Sequence, residues 1–391
     1  MKIEELFNEL VELNVHVKLR NEDISIKGLK KKYASELIPK IKEHKNDLIK
    51  YLKSLENINH KEFSSIIETI KKESYPLSSA QYRLWVLSQF EEGSIAYNIP
   101  ISKVLKGVYH IPVLEKAVLA VLKRHEILRT VFREDDNGEI RQWILSPNEL
   151  ELKIAYYDYR KENHQYELVN TYIAEDTLKP FNLVNGPLLR VSIFRITNKE
   201  YILYLNIHHI ISDGWSMNVL AKDLLSYYEA YKKNKNILFP ELRIQYKDYT
   251  EWQLKELKSS KQEVSKIFWY KKLSKNIPVL CLPSELTRPN IKTYNGRNFS
   301  TFITSKNTRI LKKYCKDKGG SLFMGIIALW NILLSKYTLQ NDIIIIGTPI
   351  AGRNHIELEN QIGFYVNTLL LKNTVDQEDN FNTFFRNIVK N

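Results

Sequence analysis

The sequence predicts a mixed α/β (α+β) protein, because strand-like and helix-like patterns alternate along the chain. An unbroken run of apolar and aromatic residues at 201–207 predicts a buried strand, and apolar residues at helical spacing follow it. A second apolar strand is predicted at 342–347. It comes after the segment 322–337, which is apolar nearly all round and is predicted to be a buried helix.

The first 54 residues predict a small unit with the order helix, strand, strand, helix. Apolar residues at helical spacing predict helices at 3–11 and 37–52. Between them, 15–20 and 24–27 alternate with period two around a polar turn, which predicts a β-hairpin. A core of this size is marginally stable, so association with a second copy would help it. The polar residues 55–74 are predicted to form a linker with some helix.

A second unit is predicted to begin near residue 75. Ser78 is a suitable N-cap for the helix that follows it, and an amphipathic helix is predicted at 114–127. The segment 135–138 predicts the turn of a hairpin. We interpret His125 as a structural residue that ties helix to strand, and a further helix is predicted to start at 268–270.

Two adjacent histidines at the end of the 201–207 strand form the main candidate site. His208 and His209 are followed by Asp213 and Gly214, and Ser216 is placed to cap the next helix. Imidazole titrates near neutrality and can accept or position a proton, and glycine allows a ligand to approach the backbone. Histidines hydrogen-bonded in a core are the ordinary alternative, but this spacing in a chain with nine histidines favours a reactive loop.

Length and composition restrict the function classes. The 391 residues suit two or three units, and 43% hydrophobic with 26% charged residues is typical of a soluble globular protein. No apolar run reaches the roughly 18 residues of a membrane helix, and the first residues do not form a signal peptide, so we expect a cytoplasmic location. Cys281 and Cys315 are too few for a disulfide framework or a zinc site.

The formal net charge of +13 raises the possibility of nucleic-acid binding. The lysines are scattered through predicted helices and turns, and the sequence contains neither a basic arm nor a known nucleic-acid motif. Such lysines ordinarily form solvated faces, and here they also suit acidic protein partners.

The segment 208–216 resembles the HHxxxDG motif of nonribosomal peptide synthetase condensation domains. Four other stretches resemble motifs of that family, in the family's order: SSAQYRLW at 78–85, RHEILRTVF at 124–132, YKDYTEW at 246–252 and IGFYVNT at 362–368. The resemblance implies two chloramphenicol acetyltransferase-like lobes in a V-shaped pseudo-dimer, an N-lobe at 75–252 and a C-lobe at 253–391. The family's last two motifs do not occur, so we expect the C-lobe to be truncated.

The family resemblance also implies a reaction. A donor acyl or peptidyl thioester and the amine of an acceptor aminoacyl thioester form an amide bond, both held on phosphopantetheine arms of carrier proteins. The expectation is that the chain itself binds no cofactor and no metal. The segment 212–216 favours the subtype that joins an L-configured donor.

The resemblance assigns roles to individual residues. His209 takes or positions the proton of the amine, His208 makes a structural hydrogen bond, and the Gly214 N–H faces the developing oxyanion. Asp213 braces the loop, and its expected partner is Arg353, with Arg288 as second choice. Residues expected to line the substrate tunnel or support the site are Arg83, Trp215, Ser216, Arg353 and Asn367.

The N-terminal unit, 1–54, resembles the docking domains of the tubulysin-synthetase type. That resemblance implies a homodimeric unit that binds the C-terminal peptide of an upstream synthetase subunit by adding a strand to the hairpin edge. The expected contacts are Val15, Val17, Lys18, Arg20 and Lys27. The three basic side chains among them favour an acidic peptide. The alternative is a helical capping domain.

Two other functions compete with condensation. An acyltransferase that acts on a free alcohol or amine, as in wax ester synthases, shares the HHxxxDG motif. A non-catalytic module that recruits carrier proteins or tailoring enzymes would be expected to lose the paired histidines, which are both present at 208–209.

Overall fold

The computed structural model describes residues 16–20, 23–27, 31–49, 65–235, 239–274, 277–280, 282–283, 296–338 and 342–390. The chain divides into two compact units, Met1–Ile66 and Ile67–Asn391. The division falls within the segment 55–74 that was predicted to be a linker.

The first unit contains the predicted hairpin. Strands β1 (His16–Arg20) and β2 (Asp23–Lys27) are antiparallel, and helix α1 (Lys31–Glu43) follows, with further helical residues at 45–49. The second predicted helix is therefore present and starts earlier than its periodicity indicated. The predicted first helix at 3–11 and Val15 lie outside the described residues.

The second unit contains three sheets and most of the helices. Its described elements are β3 (Ser74–Pro76), α2 (Ser79–Ser88), α3 (Glu91–Ala96), β4 (Asn98–Lys106), α4 (Ile111–Arg124), β5 (Thr130–Glu134), β6 (Ile140–Ile144), α5 (Pro147–Leu150), β7 (Ile154–Asp158), α6 (Gln165–Thr177), β8 (Leu189–Thr197), β9 (Glu200–His208), α7 (Gly214–Lys232), α8 (Tyr246–Leu257), α9 (Ser260–Leu273), α10 (Ser305–Asp317), α11 (Leu322–Thr338), β10 (Ile343–Ile350), β11 (Asn367–Thr374) and α12 (Phe381–Lys390).

Strand β9 lies inside the largest sheet, whose order is β4–β9–β8–β7. Ile207 pairs with Ile99 of β4 on one side and with Leu189 of β8 on the other. Every β9 residue after the first is buried, which explains the unbroken apolar run and confirms the predicted strand. Because β9 has a neighbour on both sides, its last residue, His208, is held firmly in place.

The smaller sheets accompany this one. Strands β5 and β6 form the hairpin predicted around 135–138 and continue into β3, whereas β10 and β11 form a separate antiparallel pair. The helix starts predicted at 114 and at 268–270 both differ from the starts in the structure. Helix α4 begins at Ile111 and not at 114, and 268–270 lies in the second half of α9. Apolar periodicity locates a helix, but the polar residues that begin it carry little of that signal.

Two elements predicted to be buried are partly exposed. In α11, Ile327 and Ala328 are buried, but Phe323 is 52% and Trp330 is 52% exposed. In β10 only Ile344 is buried. Among the described residues, β10 pairs with β11 alone and α11 packs on one side of it, so one face of each element has no neighbour. The prediction of complete burial was wrong because apolarity does not show how many neighbours an element has.

No single described helix is long and apolar enough to cross a membrane. Helices α10 and α11 reach the required length and hydropathy only as a pair, and the chain bends by 103° between them.

Candidate active site

The paired histidines lie where β9 ends and α7 begins. His208 is the last residue of β9, residues His209–Ile211 form one 3-10 turn, and the His209 N–H donates to the Tyr97 carbonyl at 2.8 Å. Asp213 is the N-cap of α7 and accepts the Ser216 N–H at 2.8 Å. The expected cap at Ser216 was wrong, because the longer Asp213 carboxylate reaches the free N–H of the first turn.

His209 is partly exposed, and its tautomer is fixed by one hydrogen bond. Its Nδ1 lies 2.7 Å from the Ser212 carbonyl oxygen. A carbonyl only accepts, so Nδ1 carries a proton, and Nε2 is the nitrogen that can accept one. The imidazole stands edge to face with the Phe364 ring, with centroids 4.8 Å apart. None of the described residues hydrogen-bonds Nε2, so this nitrogen is open to a ligand.

His208 has a different environment, although it is adjacent in sequence. Its side chain is buried, Nδ1 accepts the Ile210 N–H at 3.2 Å, and the Phe181 ring stands against it with centroids 6.0 Å apart. Burial, and secondarily the neighbouring His209, lower the pKa of the His208 imidazole to about 3. The ring is therefore neutral and bonded to the turn that presents His209.

Asp213 is a buried carboxylate with four donors. Oδ1 accepts from the Ser216 N–H at 2.8 Å, the Ser216 hydroxyl at 2.7 Å and Arg353 Nη2 at 3.1 Å. Oδ2 accepts the Tyr365 N–H at 3.1 Å. Arg353 and Asp213 have side chains only 2% exposed, and this is the pairing expected from the sequence. The second choice, Arg288, lies outside the described residues.

Arg353 and Ser216 extend this contact to the segment 358–365. Arg353 Nη1 donates to the carbonyls of Leu358 and Gln361, and its guanidinium lies over the Tyr365 ring, 4.0 Å from the centroid. The Ser216 hydroxyl oxygen accepts the Gly363 N–H at 3.0 Å and Arg353 Nη2 at 2.8 Å. Asp213 thus connects the start of α7 to a segment about 150 residues farther along, as its separation of 152 residues from Tyr365 shows.

Sequence reasoning did not single out Phe364, Tyr365 or Tyr246 as site residues. The Tyr246 hydroxyl donates to the Phe364 carbonyl at 2.6 Å, and a Cβ at Gly363 would overlap the Tyr246 ring. Burial raises the pKa of the Tyr246 phenol well above its usual value, so the hydroxyl stays protonated as a donor. All three residues occur within the family-like stretches, which is the signal that could have identified them.

Gly214 and Trp215 begin α7 on its exposed side. No atom lies within 4 Å of the position that a Gly214 Cβ would take, so the space beside this residue is open. Trp215 is 44% exposed, and its indole N–H donates to the Glu359 carbonyl at 2.9 Å.

Arg83 and Asn367 lie together, but apart from the histidines. Both line a cavity of about 460 Å³ between α2, α8 and the segment 350–367, together with Tyr249, Glu256 and Tyr365. His209 is not among the residues that line the cavity. Phe364 contacts His209, and the next residue, Tyr365, lines the cavity. Tyr365, Val366 and Asn367 of the segment 362–367 are among the residues that line this cavity.

His125 is buried and bonds Asp223 of α7 at 2.9 Å, so it ties one helix to another and not helix to strand. Burial lowers the pKa of this imidazole. In the described part of the chain, no three His, Cys, Asp or Glu side chains are grouped closely enough to hold a metal ion. Cys315 is buried and free, and Cys281 lies outside the described residues.

The geometry defines a class of site. A partly exposed histidine with an open Nε2, on a loop fixed by a buried ion pair, can accept a proton or hold an amine or hydroxyl in position. The open space beside the first residue of α7 leaves room for a reacting group near a helix N-terminus.

Comparison with known sequences identifies the family. A model of the condensation domain matches residues 71–391. Gramicidin S synthase 2 of Brevibacillus brevis is 37% identical over 340 residues, which cover 84% of this chain and 7% of that protein. Bacitracin synthase 2 of Bacillus licheniformis is 41% identical over 310 residues, which cover 79% of this chain and 11% of that protein. The chain thus spans a small part of the length of these relatives.

Solved structures agree with this assignment at the level of the fold. The X-domain from teicoplanin biosynthesis has a TM-score of 0.75 at 22% identity, with 83% of this chain and 71% of that chain covered. The first condensation domain of the CDA synthetase has a TM-score of 0.68 at 17% identity, with 81% and 73% covered. The chain belongs to the condensation domain family of nonribosomal peptide synthetases, and the predicted mixed α/β fold is confirmed.

Proposed function

We propose that this chain forms an amide bond between two carrier-bound substrates in a nonribosomal peptide synthetase or a hybrid polyketide synthetase. The amine of an acceptor aminoacyl thioester attacks the carbonyl carbon of a donor acyl or peptidyl thioester. The C–N bond forms, the C–S bond breaks, and the donor thiol leaves with the proton that the amine gives up. Phosphopantetheine arms of two carrier proteins hold the substrates.

His209 is the proposed catalytic residue, and its tautomer is the observation that carries the proposal. With Nδ1–H donated to the Ser212 carbonyl, Nε2 is the nitrogen that accepts the amine proton or holds the amine in line. General base catalysis contributes about 10² to 10⁴ in rate, and alignment contributes factors at least as large. The Gly214 N–H, at the start of α7, is proposed to face the developing oxyanion.

The cavity lined by Arg83 and Asn367 is proposed to take part of a substrate. It has charged and polar side chains on its wall and shares Tyr365 with the segment that contacts His209.

The test is dipeptide formation from loaded donor and acceptor carrier proteins, followed by mass spectrometry. We expect His209→Ala to lower the rate at least about a hundredfold. His164→Ala is the matched control, because the His164 side chain is 73% exposed and pairs with Glu167. Undiminished product from His209→Ala would contradict the assigned role.

A recruitment module is the second candidate. The observation in its favour is that the X-domain from teicoplanin biosynthesis, seen in complex with OxyB, has a TM-score of 0.71 at 23% identity to this chain. The same assay separates the candidates, since a recruitment module binds loaded carrier proteins and forms no product. A free amine or alcohol supplied in place of the acceptor carrier tests the third possibility, an acyltransferase to a small acceptor.

The N-terminal unit is proposed to dock an upstream subunit. Its hairpin has β1 and β2 paired with each other, and in the described residues neither strand pairs with a third. An added peptide strand would extend this two-stranded sheet. Lys18, Arg20 and Lys27 lie on these strands and favour an acidic peptide.

A further inference from the structure

One peptide unit beside His209 is held from both ends. The N–H of the Phe364–Tyr365 peptide donates to Asp213 Oδ2 at 3.1 Å, and its carbonyl accepts the Tyr246 hydroxyl at 2.6 Å. The first bond comes from Asp213 of the histidine motif, and the second comes from Tyr246 of α8. The two bonds together fix the plane of the peptide.

The orientation of this peptide sets the position of the Phe364 ring. The ring is 8% exposed and stands against the His209 imidazole, with centroids 4.8 Å apart and planes at 67°. Among the described residues, the hydrogen bond that restrains the His209 side chain is the one from Nδ1–H to the Ser212 carbonyl, and the ring can tilt about that bond. Contact with Phe364 removes this freedom, so a rotation of the peptide would be transmitted to the imidazole.

Tyr246 is itself firmly placed. It is the first residue of α8, whose N-cap Gln245 forms a capping box with Asp248. Its hydroxyl oxygen lies 2.9 Å from the Ser78 hydroxyl. Because the Tyr246 proton goes to the Phe364 carbonyl, Ser78 donates to Tyr246. The close approach at Gly363 leaves the phenol ring little room to move.

We propose that Tyr246 is a positioning residue for His209, acting through the Phe364 carbonyl and ring. Loss of the hydroxyl leaves the peptide held by Asp213 alone and lets the Phe364 ring and the imidazole reorient. As a catalytic effect this inference rests on the proposed amide-forming function. As a structural effect on His209 it stands without that function.

The test compares Tyr246→Phe with Tyr228→Phe in the full chain. Tyr228, in α7, is the matched control, because it is buried and its hydroxyl also makes a backbone hydrogen bond. The Tyr228 hydroxyl oxygen accepts the His110 N–H at 3.1 Å. We expect Tyr246→Phe to lower kcat about tenfold, which corresponds to about 1.4 kcal/mol of activation free energy. KM should change less than about twofold, because the Tyr246 hydroxyl is buried and bonded within the protein to Phe364 and Ser78.

Proton NMR of the imidazole resonances supplies a readout that does not depend on catalysis. Tyr246→Phe should shift the His209 signals, which lie within the ring-current field of Phe364, and Tyr228→Phe should not. Unchanged His209 signals in a folded Tyr246→Phe protein, or an equal shift in Tyr228→Phe, would overturn the proposal. Shifted signals in a chain that forms no amide would support the positioning and reject the proposed function.

Discussion

His208 couples the stability of this fold to pH. Its folded-state pKa of about 3 lies below the value near 6.5 of an unfolded chain, so the unfolded state binds a proton that the folded state does not. Above about pH 6.5 His208 is neutral in both states, and its contribution to the free energy of unfolding is fully present. It is lost as the pH falls toward about 3, by about 1.4 kcal/mol per pH unit.

This dependence is tested by urea unfolding of His208→Asn between pH 7 and pH 5. The asparagine oxygen can still accept the Ile210 N–H, but the side chain does not titrate. We therefore expect His208→Asn to be less stable than the wild type at pH 7 and to lose less stability on acidification. His164→Asn, at an exposed position, should keep the wild-type slope. A slope in His208→Asn equal to that of the wild type would show that His208 is not the linked proton site.

At the residue scale, the sequence predicted what a short motif contains. The family-like motifs led to His209 and Asp213 and to Arg353 as the expected partner of Asp213, and the structure shows the Arg353–Asp213 ion pair. Tyr246 and Phe364 were not predicted as site residues, because 118 residues separate them and buried aromatic residues look like ordinary core. Their contact depends on how α8 packs, which periodicity does not reveal.

At the level of secondary-structure elements, α7 contacts the segment 352–365. Asp213 and Arg353 form this contact, and both side chains are almost fully buried. We expect Arg353→Met to lower the free energy of unfolding by about 3 to 5 kcal/mol, because it leaves the Asp213 charge buried without its partner. The double variant with Asp213→Asn should lose less than the sum of the two single variants.

Chemical denaturation of the full chain measures these losses. Arg243→Met is the matched control, because Arg243 pairs with Glu357 nearby but is 48% exposed, and such pairs are worth less than about 1 kcal/mol. Strict additivity of the Asp213 and Arg353 variants would indicate that the two charges are not coupled. A loss in Arg353→Met no larger than in Arg243→Met would contradict the importance of this contact.

Element type was predictable from the sequence, whereas exposure was not. Strand β9 matched its prediction because β4 and β8 pair with it on both sides and every residue after the first is buried, as its apolar run requires. Helix α11 and strand β10 have equally apolar sequences but partly exposed faces among the described residues. Periodicity reports the preference of each residue for burial, and the tertiary neighbours decide whether that preference is met.

For the whole molecule, the chain's division into two units has a functional consequence. Residues 1–66 and 67–391 each make most of their contacts internally. If the first unit docks an upstream subunit, it raises the local concentration of the donor carrier protein and leaves the chemistry to the second unit. Binding of the donor and the rate of the bound complex should then respond differently to its removal.

Deletion of residues 1–66 is therefore expected to raise KM for a donor carrier protein presented on its upstream subunit, with kcat unchanged within about twofold. The mechanism is loss of effective concentration, which short flexible links keep in the millimolar range. Fusing the donor carrier protein to residue 67 should restore the low KM, and added salt should raise KM for the full chain more than for the deleted one, since the proposed peptide contact is ionic. Steady-state kinetics of dipeptide formation measure kcat and KM for the full, deleted and fused chains, with and without added salt. A KM that does not respond to the deletion would mean that the first unit plays no part in bringing the donor to the site.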